Sequence, residues 1–116
     1  MTVAKVQFRL RIYRGDAIAI GPGKVALLEA IAETGSISAA ARRFGMSYRR
    51  AWLLVDEMNR ALASPAVAAA AGGSGGGGTS LTATGEAVVR HYRAVEHTAR
   101  TAAARDIAAL NSLLAP

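Results

Sequence analysis

Residues 35–52 contain two short helical patterns separated by one glycine, and they constrain the fold more than any other part of the chain. Ser36 stands where its hydroxyl can cap the free backbone N–H groups of a helix, and Gly45 ends that helix. One face of the helix would be buried, at the i, i+3, i+4 and i+7 spacing of Ile37, Ala40, Ala41 and Phe44.

A second helix is expected directly after the glycine turn. Ser47 can cap it. Its buried side would consist of Ala51, Val55, Met58 and Leu62. The side chains near its exposed front end are Tyr48, Arg49, Arg50 and Leu53. The pattern therefore predicts a helix-turn-helix over residues 36–62, in which the start of the second helix meets base edges of DNA.

The chain is strongly basic. Its 116 residues include 14 lysines and arginines against 8 acidic residues, which gives a formal net charge of +6. Two blocks are basic and contain no acid: Lys5, Arg9, Arg11 and Arg14, and then Arg42, Arg43, Arg49 and Arg50. Such a surface favours polyanions, although the charge alone is also compatible with an ordinary basic soluble protein. The length indicates one domain.

The residues before the motif predict a β-hairpin and then a helix. Residues 5–12 alternate as in a half-buried strand, with an inner face of Val6, Phe8, Leu10 and Ile12. A turn at residues 14–16 leads to a returning strand over residues 17–20, with Ile18 and Ile20 facing inward. The hairpin thus covers residues 5–20. The following helix begins near Pro22, ends at Gly35 and carries an apolar stripe of Val25, Leu27, Leu28, Ile31 and Ala32.

A run of glycines broken by one serine occupies residues 72–78. We expect a short edge strand over residues 66–71 and a second strand that starts at Thr79, paired as a wing over residues 66–82. The glycines would let the wing approach DNA closely. The composition also suits an unstructured linker, and a dinucleotide-binding fingerprint can be drawn through Gly73, Gly75 and Gly78, as through any polyglycine run.

Residues 83–114 contain no proline and predict one long helix, within a segment of residues 82–116. Its apolar stripe runs to Ala102 and then slips by one residue to Ala103. A helix of this length exceeds what a small domain covers, so we expect it to dimerise the chain; packing within one monomer is the alternative. The predicted dimer contacts are Val88, Tyr92, Val95, Ala99, Ile107 and Leu110.

The sequence offers no catalytic or metal-binding constellation. It has no cysteine, and His91 and His97 would lie about 240° apart around a helix, too far to bind one metal ion within a chain. The serines and threonines have no nearby histidine or lysine base. No signal peptide and no membrane span of about 20 apolar residues is present. We expect a cytoplasmic protein that is not an enzyme, has no cofactor and does not bind membranes.

The elements in this order resemble the DNA-binding domain of the ModE-type molybdate-responsive transcriptional regulators, from about residue 6 to residue 100. The matching strings are Gly21-Pro-Gly-Lys24 with Leu27, Leu28 and Ile31, Gly35-Ser-Ile-Ser38 with Ala40-Ala41, Ser47-Tyr48 with Ala51-Trp52, Glu57-Met-Asn59, Gly72-Gly73 with Gly75 to Gly78, and Leu81-Thr82 with Gly85. The LysR-type amino-terminal domain shares the alanine pair and the Leu-Thr-x-x-Gly pattern, without the Ser-Tyr-x-x-Ala-Trp string or the glycine-rich wing.

This resemblance implies a mainly α protein with small β-hairpins: a winged helix-turn-helix domain over residues 1–81 and a long dimerisation helix over residues 82–116. Arg49 or Arg50 would read guanine while the other binds phosphate, and Trp52 would be a packing residue. The implied DNA contacts are Ser36, Ser38, Arg42, Arg43, Ser47, Tyr48, Arg49, Arg50, Gly75, Gly76 and Thr79.

In the full-length family, molybdate-binding domains follow this region, and the sequence has none before its last residue, Pro116. We expect a homodimeric regulator that binds double-stranded DNA and controls molybdenum transport or molybdenum-cofactor genes. It would sense molybdate through a separate protein or not at all, or its set of target genes would differ. Two alternatives are a protein-interaction module and a nonspecific architectural DNA-binding protein.

Overall fold

A computed structural model describes residues 5–70 and 78–116. In chain order the elements are β1 (Ile12–Arg14), β2 (Ala17–Ile20), α1 (Pro22–Thr34), α2 (Ile37–Arg43), α3 (Tyr48–Ala61), β3 (Val67–Ala69), β4 (Thr79–Leu81), α4 (Ala83–Ala102) and α5 (Ala104–Asn111). β1 pairs with β2 and β3 pairs with β4, both antiparallel. The predicted mainly α fold with small β-hairpins is confirmed. Among the described residues, no helix is both long and apolar enough to cross a membrane.

The core lies between α1, α2 and α3 and extends to the start of β3. Pro22 opens α1, where its missing N–H costs no hydrogen bond, and Gly35 closes it with a φ of 72° that favours glycine. The predicted stripe of α1 is buried, except that Ala32 is exposed in the last turn. The fully buried side chains of the core include Val25, Leu27, Leu28, Ile31 and Met58.

The amino-terminal hairpin is shorter than the sequence predicts. Its paired strands cover only residues 12–14 and 17–20, and Ile12 is exposed. In β2, Ile18 and Ile20 are half-buried, whereas Ala19 is the buried residue. The register explains this difference: Ile12 pairs with Ile20 and Tyr13 with Ile18, which leaves Ala19 unopposed in a β-bulge.

Residues 5–11 are not part of a strand, because they lie against α4 rather than beside another strand. The Tyr92 hydroxyl donates a hydrogen bond to the Leu10 carbonyl (3.0 Å), and Arg100 donates one to the Val6 carbonyl (3.3 Å). The Arg100 guanidinium also lies 5.6 Å from the centre of the Phe8 ring. The predicted alternation is nevertheless present, since Val6, Phe8 and Leu10 are half-buried and the residues between them are exposed.

The wing strands are attached to both α3 and α4. The Asn59 side chain accepts hydrogen bonds from the backbone N–H groups of Ala66 (2.8 Å) and Val67 (3.2 Å), and donates one to the Val67 carbonyl (3.2 Å). The Thr82 N–H donates to the Ala66 carbonyl (2.9 Å). Gly85 approaches the same backbone so closely that a Cβ atom there would lie 2.1 Å from the Ala66 oxygen.

The carboxyl-terminal segment forms two helices, which corrects the prediction of one long helix over residues 82–116. Thr82 caps α4, accepting a hydrogen bond from the Gly85 N–H (3.1 Å). The first helix ends before Ala103, where φ is −97° and ψ is 8°, well away from helical values. The interruption falls where the apolar stripe slips by one residue, so the shift occurs as a break between two helices. No residue of α5 is buried.

Ion pairs connect α4 to α1. Arg93 donates a hydrogen bond from its Nε atom to Glu29 (3.0 Å), and a second from Nη2 to the other oxygen of that carboxylate. Its Nη1 atom also donates to Glu96 (2.6 Å). The hydrogen bonds to Glu29 and Glu96 raise the pKa of the Arg93 guanidinium, against the opposing effect of desolvation. Glu29 is therefore a structural partner of α4.

Candidate nucleic-acid interface

The helix-turn-helix is built by the predicted caps and turn. Ser36 accepts a hydrogen bond from the Ala39 N–H (3.1 Å), and Ser47 accepts one from the Arg50 N–H (3.1 Å). Between the helices, Gly45 has a φ of 64°, and the Met46 N–H donates to the Ala41 carbonyl (3.0 Å). The inner faces are those predicted, with Ala40, Ala41, Ala51, Val55 and Met58 buried.

Two predicted buried positions differ. Phe44 is 43% exposed, because α2 ends at Arg43 and the Phe44 backbone turns out of the helical face. Leu62 is half-buried at the end of α3, where it still packs against the core.

The front of α3 presents a contiguous exposed surface. Tyr48, Arg49 and Arg50 are exposed, as is Leu53 one turn later. Trp52 is 46% exposed, which corrects the expectation that it is a packing residue. Within residues 5–70 and 78–116, neither arginine has an ion-pair partner, so both guanidinium groups can donate to a ligand.

The residues on and near α2 that were predicted to contact phosphate differ in exposure and in the partners that they already have within the chain. Arg43 forms an ion pair with Glu33 of α1. Arg42 and Ser38 are exposed. Ser36 is half-buried and Ser47 is exposed, and the hydroxyl oxygen of each already accepts the hydrogen bond that caps its helix. Arg42 and Ser38 are thus the more accessible members of this group.

The wing begins close to this surface. The Thr79 N–H donates to the Gly35 carbonyl (2.9 Å) at the turn between α1 and α2, and the Ala70 N–H donates to the Gly78 carbonyl (2.9 Å). The base of the wing is therefore fixed beside the start of the helix-turn-helix. Gly75 and Gly76, the predicted wing contacts, lie outside the described residues, as does the end of the predicted strand over residues 66–71.

The predicted dimer contacts divide into two groups. Tyr92 is only 3% exposed and Val88 packs against the core, so α4 uses these two residues within its own chain. This corrects the prediction that Tyr92 faces a second copy: residues 5–11 cover it. The remaining contacts are half-buried or exposed, and they are Val95, Ala99, Ile107 and Leu110.

A buried lysine, which the sequence patterns did not indicate, holds α3 in place. Lys24 donates to the Ile18 carbonyl of β2 and lies 3.2 Å from the Glu57 carboxylate of α3. It therefore ties the hairpin and α1 to α3. The only sequence signal was its place in Gly21-Pro-Gly-Lys24, which cannot show that its side chain turns inward.

Residues 23–86 match the family described as bacterial regulatory helix-turn-helix protein, lysR family. Among similar proteins is the molybdenum-pterin-binding protein MopB of Rhodobacter capsulatus, 54% identical over 66% of this chain and 28% of that protein. The molybdenum transport protein ModE of Azotobacter vinelandii is 37% identical over 83% of this chain and 36% of its own length. The transcriptional regulator ModE of Haemophilus influenzae is 37% identical over 77% and 35%, respectively. The chain thus spans about a third of the length of these relatives.

Two solved structures share the fold. The CbnR DNA-binding domain in complex with DNA superposes with a TM-score of 0.57 at 24% identity, over 76% of this chain and 95% of that one. ArgP from Mycobacterium tuberculosis gives a TM-score of 0.53 at 19% identity, over 72% and 30%. These similarities confirm the winged helix-turn-helix fold. The chain belongs to the lysR family of bacterial regulatory helix-turn-helix proteins, as a DNA-binding regulatory domain of the ModE type.

Proposed function

We propose that this chain binds a specific operator in double-stranded DNA as a homodimer, with the front of α3 in the major groove. The observation that carries this proposal is the exposed pair Arg49 and Arg50 at the start of a helix whose inner face is fixed in the core. An arginine can donate two parallel hydrogen bonds to O6 and N7 of guanine, which discriminates by about 1–3 kcal/mol against other bases.

The surrounding residues suit positioning contacts. Arg42 and Ser38 lie on α2, and Thr79 lies at the start of β4, hydrogen-bonded to Gly35 at the turn before α2. Phosphate contacts at such positions orient a protein without reading sequence. Arg43 can exchange Glu33 for a phosphate, because that ion pair is solvent-exposed and therefore weak. The wing, with Gly75 and Gly76 in its tip, would follow the adjacent backbone or minor groove.

The homodimer would form along the outer face of α4 and α5. Leu110 is 65% exposed and Val95 is exposed as well, and apolar surface of this kind is covered when two copies pair. The 20 residues of α4 span about 30 Å, which is long enough to separate two recognition helices by roughly one turn of DNA. Sedimentation of Leu110→Glu, which we expect to be monomeric with an unchanged helix content by circular dichroism, tests this face. A dimer that persists in the variant contradicts it.

We further propose that the regulated genes serve molybdenum transport or molybdenum-cofactor synthesis, in the cytoplasm. The support comes from two relatives, a molybdenum transport protein and a molybdenum-pterin-binding protein. Molybdate sensing would then require a separate protein or further residues. Selection of bound genomic fragments with and without molybdate tests both parts, and fragments unrelated to molybdenum genes would contradict the assignment.

The arginine pair gives the sharpest test of the operator hypothesis. Arg49→Ala and Arg50→Ala should weaken binding to the selected duplex about 5- to 150-fold, and binding to random duplex much less. Arg105→Ala, an exposed arginine on α5, is the matched control and should change neither affinity. Affinities are measured by fluorescence anisotropy across a salt series.

Three outcomes contradict this hypothesis. Equal losses on both duplexes would show that the arginines only bind phosphate. If the unmodified chain has no preference for any duplex sequence, it is a nonspecific DNA-binding protein, and if it binds an acidic protein but no duplex, it is an interaction module.

A further inference from the structure

A groove with a volume of about 900 Å³ separates the amino-terminal hairpin from α3. Its hairpin side carries Arg14 of β1 and, directly before that strand, Arg9 and Arg11, and its α3 side carries Arg50. Met46 and Leu54 line it between the charged groups. Arg50 therefore belongs both to this groove and to the exposed front of the recognition helix.

The charge of this groove is largely uncompensated. Glu57, one of its two acidic residues, is already bound to Lys24, and Arg60 at the far end is bound to Asp56 (3.0 Å). Within the described ranges 5–70 and 78–116, no ion pair involves Arg9, Arg11, Arg14 or Arg50. Only Asp16 remains to offset these four guanidinium groups. Neighbouring like charges repel one another, and binding of an anion relieves that repulsion.

The shape of the groove favours a chain of anions over a single small one. A water molecule takes about 30 Å³, so one tetrahedral oxyanion would fill only a small part of 900 Å³. The arginines are instead spread along the groove from the hairpin to the start of α3. When α3 lies in a major groove, the DNA backbone beside it must pass close to Arg50 and hence to the mouth of this groove.

We propose that the hairpin, together with the residues directly before it, is a second nucleic-acid contact, in which Arg9, Arg11 and Arg14 bind phosphates of the DNA strand that flanks the segment read by α3. This inference rests on the proposed operator binding and adds to it an element that precedes the helix-turn-helix. Because phosphates carry no sequence information, the hairpin contributes affinity and salt dependence, and leaves base preference to α3.

The experiment compares three double variants of the 116-residue chain. Arg11→Gln with Arg14→Gln removes two charges on the hairpin side of the groove and keeps the apolar stem of Arg11, which lies beside Gly21. Arg90→Gln with Arg105→Gln removes two exposed charges from α4 and α5. Arg11→Lys with Arg14→Lys keeps the charge of the hairpin. For each variant, affinity for the selected and the random duplex is measured between 50 and 300 mM salt, roughly the range in which counterion release dominates.

For the glutamine pair on the hairpin, we expect the slope of log affinity against log salt to become shallower by about 1.8 per bound chain, or about 0.9 for each phosphate that the variant no longer binds. The ratio of selected to random affinity stays the same. The lysine pair and the α4–α5 pair keep the slope of the unmodified protein. An unchanged slope in the hairpin variant, or the same change in the α4–α5 pair, overturns the inference while operator binding itself stands.

A second arm distinguishes DNA phosphates from free anions. The unmodified chain is titrated calorimetrically with inorganic phosphate and with molybdate. We expect no binding tighter than the millimolar range, because neither anion reaches more than part of the groove. Micromolar binding that disappears in the hairpin glutamine variant would make the groove a small-anion site and overturn the assignment to DNA. Absence of duplex binding by the unmodified chain would instead refute the proposed function.

Discussion

Substitution of Gly85 by alanine tests the close contact between α4 and the base of the wing. Gly85 lies in the first turn of α4 and is buried against the Ala66 backbone. An added Cβ would be 2.1 Å from the Ala66 oxygen and 3.0 Å from its carbonyl carbon, and the closer contact lies well inside the distance that real Cβ atoms keep. The obstacle is backbone, so no side-chain rotation removes it.

The magnitude follows from what must move. To reach 3.0 Å, α4 and β3 must separate locally by about 0.9 Å, and overpacking of this kind costs about 1–3 kcal/mol. The separation also disrupts the hydrogen bond from the Thr82 N–H to the Ala66 carbonyl (2.9 Å), worth about 0.5–1.5 kcal/mol. The helical preference of alanine returns at most about 1 kcal/mol. We expect a net loss of about 2–3 kcal/mol.

Thermal and urea unfolding followed by circular dichroism measure this loss, which corresponds to a decrease of about 8–12 °C in the melting temperature at this chain length. Gly23→Ala is the matched control, because Gly23 also lies in the first turn of a helix but has no atom within 4 Å of an added Cβ. Its stability should be unchanged or slightly higher. If Gly85→Ala behaves like the control, helix propensity outweighs the contact and the packing argument is refuted.

Substitutions at four residues test further contacts that hold the domain together. Asn59→Ala should lower the free energy of unfolding in urea by about 2–4 kcal/mol, because it removes three hydrogen bonds at the start of β3. Asn59→Asp keeps the two contacts in which the side chain accepts, so its stability should fall between those of Asn59→Ala and the unmodified chain. Equal stability of all three proteins would contradict the role of Asn59 in holding β3. Burial, and secondarily Glu96, raises the pKa of Tyr92. The stabilising contribution of neutral Tyr92 is therefore complete below about pH 10 and is lost as the pH rises through its folded-state pKa. The free energy of unfolding, measured between pH 8 and 11, should decline at the alkaline end, and Tyr92→Phe should reduce that decline. An equal decline in both proteins would refute the prediction. Lys24→Met should lower the free energy of unfolding by about 1–3 kcal/mol, because it leaves the Ile18 carbonyl without its hydrogen bond. Glu57→Gln should lower it by less, because Glu57 is mainly exposed. A larger loss for Glu57→Gln than for Lys24→Met would show that the ion pair dominates.

Local signals in the sequence were sufficient for the helix-turn-helix. The hydroxyls of Ser36 and Ser47 and the glycine at position 45 act within a few residues, so their geometry depends little on distant parts of the chain. The wing pairing was also predictable, because a hairpin requires only two short strands separated by turn residues. The identities of the exposed arginines of α3 follow from the same local periodicity.

Contacts between distant residues could not be predicted in this way. The sequence shows an apolar stripe through Tyr92, but not that residues 5–11 cover that position, 82 residues from the Leu10 carbonyl it binds. Lys24 is likewise a long polar side chain whose burial depends on partners in β2 and α3. The break at Ala103 has no proline or glycine to mark it, and the slip of the stripe was its single sequence signal.

The two ends of α3 differ in how they are held: its carboxyl-terminal half is anchored to the rest of the domain, and its first turn is exposed for the proposed DNA contact. Its carboxyl-terminal half is fixed from two sides, by Asn59 to the wing strand and by Glu57 to the buried Lys24. Its first turn is held only by its inner face and the Ser47 cap, which leaves Arg49 and Arg50 without structural partners among the described residues. Substitution of those arginines should therefore change DNA affinity without changing the melting temperature. Substitution of Asn59 should instead lower the melting temperature without changing DNA affinity. DNA affinity should change as well only when the substitution displaces the wing strand.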